Sequence, residues 1–390
     1  MLSAVILAAP GCRDDAGAPT APEAAAPAVS ATAAPSFIQV SAGDRHTCGV
    51  ASNQRAYCWG FNAFGQVGDG TSGNRRLRPV AVAGGLKFRL VSAGSGYTCG
   101  VTLDYRGYCW GQGESGNLGN GATANQSSPV PVAGGHLFRR VDAGEAHTCG
   151  VSYPDNRGFC WGFNDRGVLG AGIIPRQSAP VAVSGGLKFR QVAAGATHTC
   201  GVTTSDVAYC WGSDSVGQVG DSTSAAGRFT PTRVATTRRF KQIDAGLGAF
   251  SCAVTPNDKA FCWGSGRNGE IGDGKDFLRY WPREVAGGLA LERVTTGGTH
   301  ACGETTDNRT YCWGLNAGGA LGTGTTVARS LKPVAVAGGR FFSQVSAGQA
   351  HTCARTGAEV AFCWGTNEHG QLGDGTTTNR SVPTRVAGGT

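Results

Sequence analysis

The stretch HTCGV at residues 46–50, followed by YCWGFNAFGQVGDGT at residues 57–71, decides the fold, because the chain keeps returning to it. Near its end the same pattern stands as HTCAR at 351–355 and FCWGTNEHGQLGDGT at 362–376. Cys-Trp-Gly begins at Cys58, Cys109, Cys160, Cys210, Cys262, Cys312 and Cys363, a period of 50 to 52 residues. Phe37, Phe88, Phe138, Phe189, Phe240, Leu291 and Phe342 open the units, each followed three places later by Val or Ile. Pro79, Pro129, Pro180, Pro231, Pro282, Pro333 and Pro383 mark their last extended segments. A unit of this length, made of short apolar segments between Gly-rich turns, cannot bury both of its faces alone. Four strands per unit make a propeller blade, so the fold class is all-β: a seven-bladed β-propeller of four-stranded antiparallel blades. The last unit ends on Ala387-Gly388-Gly389, a sequence that elsewhere leads into the next Phe strand. The N-terminal strand is therefore expected to complete the last blade and remove the open edges of a linear array.

Composition agrees: 64 Gly, 15% charged, 8% aromatic and 40% apolar residues exclude long helices but still fill a core. Glycines at Gly65, Gly68 and Gly70, with counterparts at Gly116, Gly167, Gly217, Gly269, Gly319 and Gly370, suit turns that need positive φ. The repeated Trp59, Trp110, Trp161, Trp211, Trp263, Trp313 and Trp364 read as packing between blades.

The unit as a whole resembles the regulator of chromosome condensation repeat, whose fold is a seven-bladed β-propeller, and the resemblance runs from residue 37 to residue 390. That family includes a nuclear guanine-nucleotide exchange factor, domains of ubiquitin ligases, and secreted bacterial proteins that inhibit β-lactamases through a propeller face. The resemblance implies a binding role without fixing the partner.

Cysteines come one couple per unit: Cys48/Cys58, Cys99/Cys109, Cys149/Cys160, Cys200/Cys210, Cys252/Cys262, Cys302/Cys312 and Cys353/Cys363, with Cys12 left over. The first of each couple lies on the outgoing arm of a hairpin and the second on its return, which reads as a disulfide across twisted strands. Structural zinc is disfavoured, since no two cysteines stand two to four apart. Seven couples of reduced core thiols are the remaining reading, set against the oxidising compartment that the N-terminus implies.

Three segments follow: an export signal at 1–12, an Ala/Pro-rich linker at 13–36, and the propeller at 37–390. Residues 2–9 are apolar, and Ala9-Pro10-Gly11-Cys12 resembles a bacterial lipoprotein processing site, with Cys12 as the lipidated residue. An ordinary secretory signal that takes Cys12 away is the alternative. No stretch reaches the ~20 apolar residues of a membrane span. Residues 1–36 hold Arg13 against Asp14, Asp15 and Glu23, leaving 33 basic and 23 acidic residues in the body. Arginines spread singly read as solvated charge, so no nucleic-acid partner is expected, and membrane contact is expected only through a lipid anchor.

Candidate chemistry is sparse. His46, His147, His198, His300 and His351 share one place in five units, where Tyr97 and Phe250 stand in the others. Blades about 10 Å apart cannot share an ion held by bonds of about 2 Å, so these rings read as packing. Asp69, Asp221, Asp273 and Asp374 read as turn residues, because each offers a lone carboxylate where calcium takes six to eight oxygens. No catalytic residue, metal or cofactor is expected. Binding specificity belongs where units diverge, and the fifth diverges most: Phe277, Arg279, Tyr280, Trp281 and Arg283 after its glycine turn, with Arg238 and Arg239 in the link before it. Aromatics mixed with Arg compose interface hot spots, although Phe277 and Trp281 also suit space-filling in a drifting blade. The expectation is a monomeric, extracytoplasmic protein-binding module, not an enzyme. One rival is a guanine-nucleotide exchange factor, whose β-wedge has no room in so constant a spacing; another is a glycan-binding or glycan-hydrolysing propeller.

Overall fold

The computed structural model describes Met1, residues 34–325 and residues 327–388; the export segment, Cys12 and the Ala/Pro tract up to Ala33 otherwise lie outside the described residues. The described chain holds strands β1 to β28, arranged as seven four-stranded antiparallel sheets. The first blade is β1 (Phe37–Ala42), β2 (His46–Ala51), β3 (Ala56–Gly60) and β4 (Arg76–Ala81), paired in that order. The seventh is β25 (Phe342–Ala347), β26 (His351–Thr356), β27 (Ala361–Gly365) and β28 (Arg380–Arg385).

Local chemistry explains the strand pattern. Phe37 and Val40 are three apart, so strict alternation would aim them at opposite faces, yet both are buried. A bulge between Phe37 and Gln39 supplies the missing residue and turns both side chains the same way. The second strand of the blade is buried from His46 to Ala51, because neighbouring blades cover both of its faces. Gly68 has φ +78°, and a Cβ there would stand 2.4 Å from Nε1 of Trp110 in the next blade. The same clash recurs at each counterpart, Gly119, Gly170, Gly220, Gly272, Gly322 and Gly373, so the invariant spacing of the glycine turn is set by the incoming indole.

Core packing lies between blades. The couple Cys48/Cys58 packs with Phe88, Val91 and Trp110 of the second blade, and equivalent clusters fill the other joints. Closure corrects the expectation of a shared blade: β1 pairs with β2, and β28 pairs with β27, so every blade is one continuous stretch of chain. The ring shuts without an exchanged strand, Phe37, Val40 and Trp59 packing on Cys353, Cys363 and Leu372, with backbone hydrogen bonds such as Phe37 N–H to the carbonyl of Glu359 at 2.7 Å. The joint between first and seventh blades is as well packed as the rest, which removes the need for an exchanged strand.

Alternating strand direction creates two distinct ends. The short turn after the first strand and the long glycine loop after the third share one end, here the loop face. The turn after the second strand and the link to the next blade share the other, the hairpin face.

Candidate functional site

All seven expected cysteine couples face each other across the second and third strands, as Cys48 does Cys58. Their sulfurs stand 2.06–2.13 Å apart and their Cα atoms 4.0–4.1 Å apart, with every one of the fourteen side chains buried.

The five histidines are structural. His46 Nε2 lies 2.8 Å from Thr98 Oγ1 of the next blade, and the pairs His147/Thr199, His198/Ser251, His300/Thr352 and His351/Thr47 repeat the contact. Each of these hydroxyls also donates to a glycine-loop carbonyl, as Thr98 does to Gln66 at 2.9 Å. One hydroxyl has one proton, so the imidazole must donate from Nε2, and burial, which holds the five rings down at about 3 to 4, keeps them neutral. Tyr97 fills the place with a hydroxyl that donates to the carbonyl of His147 at 2.6 Å. Phe250 has no polar partner to offer, and it packs in one cluster with Ala301, where the other blades carry Thr or Ser. The glycine-turn acids are also committed: Asp69 Oδ1 accepts from Thr71 N and Oγ1 at 3.0 and 2.6 Å, and Oδ2 accepts from Arg76.

An axial cavity of about 720 Å³ is lined by the first strand of every blade. Its polar groups mend the inner edge. Gln39 takes the N–H of Val91 at 3.1 Å on its Oε1 and returns Nε2 to the Val91 carbonyl at 2.9 Å. Gln242 treats Val294 in the same way, and Gln344 treats Val40. Asp142 and Asp244 accept the backbone N–H of Ala194 and Thr296 at 2.8 and 2.7 Å, and Glu304 accepts that of Val345. Burial, aided by the charge of Asp244, pushes Asp142 up to about 7, and burial pushes Glu304 to about 7. Each of these carboxylates holds a backbone N–H on the first strand of the following blade.

The fifth-blade residues divide when placed. Phe277 and Trp281 are exposed, at 62% and 46%, on the glycine loop and the outermost strand β20 (Arg279–Glu284), and Arg283 is exposed further along that strand. Arg279 is not a free cation: its Nε and Nη2 hold Asp273 Oδ2 at 2.7 and 2.6 Å, as Arg76 holds Asp69 and Arg380 holds Asp374. Tyr280 lies over Gly217 of the preceding blade. Arg238 covers the Phe261 ring at 4.4 Å and Arg239 donates to the carbonyl of Ser205 at 3.0 Å, both on the hairpin face, at the opposite end from Phe277. Sequence reading passed over Tyr105 and Tyr153, which lie in adjacent hairpin turns and stack at 3.9 Å. The signal was present: the third hairpin carries one residue more than its neighbours, a cysteine separation of 11 against 10.

A family model of the regulator of chromosome condensation (RCC1) repeat matches residues 53–101, 106–151, 155–202, 307–355 and 360–390. A second model of the same repeat matches 37–66, 189–218 and 342–371. The chain belongs to the RCC1 repeat family. It is 29% identical over 255 residues to the ultraviolet-B receptor UVR8 of Arabidopsis thaliana, covering 63% of this chain and 57% of the receptor. It is 30% identical over 249 residues to the probable E3 ubiquitin-protein ligase HERC6 of Homo sapiens, 60% of this chain but 24% of the ligase. The chain thus spans well under two thirds of either relative. Among solved structures, human WBSCR16 superposes with a TM-score of 0.78 at 21% identity, over 85% of this chain and 93% of that one. Prp20p of Saccharomyces cerevisiae gives 0.75 at 21%, over 86% and 87%. These two likenesses concern the fold.

Proposed function

We propose that this RCC1-repeat propeller is a protein-binding module of an oxidising, extracytoplasmic compartment, without covalent chemistry of its own. The observation that carries the reading is Phe277 and Trp281, large apolar side chains exposed on the blade whose sequence diverges most. A rigid ring around them lowers the conformational cost of binding. One protein of this fold binds proteins: the structure of Prp20p, yeast RCC1, is described together with its binding to Gsp1p and histones, and it has been solved bound to Kap60. The buried cysteine couples support the compartment, since such bridges persist where thiols are not kept reduced. Export through residues 1–12, with lipidation at Cys12, fits the same setting.

The test is affinity capture from envelope extract with intact protein and a Phe277→Ala/Trp281→Ala variant. Intact protein is expected to retain a partner that the variant loses, and equal recovery removes the fifth blade from the reading. Thiol titration of exported, unfolded, unreduced protein is expected to detect no cysteine of the propeller. Accelerated nucleotide release from a small GTPase would favour the exchange-factor alternative.

A further inference from the structure

On the hairpin face, the second and third blades carry a four-membered stack. Tyr105 sits in the turn between β6 (Tyr97–Thr102) and β7 (Gly107–Gly111), and Tyr153 in the turn between β10 (His147–Ser152) and β11 (Gly158–Gly162). Their rings are parallel, 3° apart, at 3.9 Å. Arg89 lies 4.4 Å from the Tyr105 centroid and Arg139 lies 5.9 Å from that of Tyr153. Two groups that close to the Tyr105 centroid must take opposite faces, so Tyr105 is enclosed between Tyr153 and a guanidinium.

The cations are unpaired for a reason that the repeat makes visible. Arg190 and Lys241 hold the same place in the fourth and fifth blades, and each pairs with the aspartate of its own hairpin turn, Asp206 at 2.5 Å and Asp258. The turn residue with positive φ at that place is Tyr105 in the second blade and Asn156 in the third. Arg89 and Arg139 therefore meet aromatic rings or an amide where their counterparts meet carboxylates, and neither has an ion-pair partner among the described residues. The same turns carry Asp104, held by Arg106 at 3.2 Å, Asp155, and Arg157, which lies 5.4 Å from the Phe159 centroid; Lys87, two places before Arg89, donates to the carbonyl of Asn53. Leu103 and Leu137 are exposed beside the stack, the latter accepting the N–H of Tyr153 at 2.8 Å on its carbonyl.

We propose that this stack is a docking surface for an acidic protein segment, whose carboxylates are taken by Arg89 and Arg139 and whose apolar side chains rest on Leu103, Leu137 and Tyr153. A stacked guanidinium keeps its edge donors pointing outward in a fixed fork, the geometry that pairs bidentately with carboxylate. Single-stranded nucleic acid binds such residues by laying bases on open aromatic faces, and Tyr105 has none left. The inference deepens the protein-binding reading but stands on the opposite face from Phe277, so the two fail separately.

The probe is a short fluorescein-labelled peptide of alternating Glu and Leu, followed by anisotropy with the full chain. Binding is expected for the wild type and is expected to weaken about tenfold or more in Arg89→Ala/Arg139→Ala. A charge-matched control, Arg233→Ala/Arg385→Ala, and Phe277→Ala/Trp281→Ala are each expected to change it by less than about twofold. All four positions altered by charge lie on the surface, and near-ultraviolet circular dichroism checks the fold. No binding by wild type, equal loss in the charge-matched control, loss in the Phe277/Trp281 variant, or tighter binding of a single-stranded oligonucleotide of equal charge each overturns the proposal.

Discussion

At the scale of single residues, the His/hydroxyl joint shows how the ring handles titratable groups. His198 donates to Ser251 and has its Nδ1 buried without a partner, and burial holds its pKa down at about 4, against an ordinary 6.5. The unfolded chain takes up that proton below pH about 6.5 while the folded chain does not, so stability is lost as pH falls through the window from 6.5 to about 4. Asp142 and Glu304, raised to about 7, act in the reverse sense and gain stability as pH falls from 7 towards their ordinary values. The two sets offset one another in the whole protein, but a variant isolates one. Phe250 with Ala301 supplies the template. His198→Phe/Ser251→Ala is expected to improve relative to wild type by about 1.4 kcal/mol for each pH unit below 6.5, read from denaturant unfolding at several pH values. A difference that stays constant between pH 7.5 and 5 would contradict the assignment.

At the scale of strands, the inner edge of each blade is the weak point, since the first strand turns unpaired backbone groups toward its neighbour. A glutamine two places after the opening Phe bridges that gap, donating and accepting like a fragment of a fifth strand. The second, third and sixth blades carry Leu90, Arg140 and Arg293 there and lack the bracket. Gln242→Leu, which strands the N–H and carbonyl of Val294, is expected to cost about 1–3 kcal/mol, whereas Leu90→Gln is expected to gain about 1 kcal/mol. Urea titration measures both, and an unaffected Gln242→Leu variant would deny the bracket its role. Little of this was legible beforehand. Strand number, blade number and cysteine pairing could be read because spacing alone carries them, and the indole contacts followed from the repeat. Gln39 and His46 gave no clue to their partners, because those partners, Val91 and Thr98, lie on neighbouring blades and become visible only in three dimensions, whereas Arg279 turns inward to Asp273 of its own glycine loop. Arg238 and Phe277 are grouped in the sequence as departures of the fifth unit and the link before it, but strand direction sends them to opposite ends.

For the whole molecule, what distinguishes one joint from the other six is connectivity. Blades within the chain are tied by short links such as Val82 to Lys87, while the seventh and first blades meet with no covalent link, through contacts such as Trp59 Nε1 to the carbonyl of Gln371 at 2.9 Å. A linked joint that opens stays at high effective concentration and closes again; the unlinked joint has only its noncovalent contacts to return it. Gly373 and Gly220 are chemically matched tests: an added Cβ would stand 2.7 and 2.6 Å from an indole nitrogen, and φ is +67° and +75°. Gly→Ala at either site combines left-handed strain with the clash and is expected to destabilise by about 2–4 kcal/mol. The loss should be distributed differently. Hydrogen exchange in Gly373→Ala is expected to speed first in β1, β2, β26 and β27, as the ring opens at its seam before global unfolding. In Gly220→Ala, protection should fall together across the ring. Identical exchange patterns in the two variants would show that the seam is no weaker than a linked joint, and that noncovalent contacts suffice to hold every blade in place.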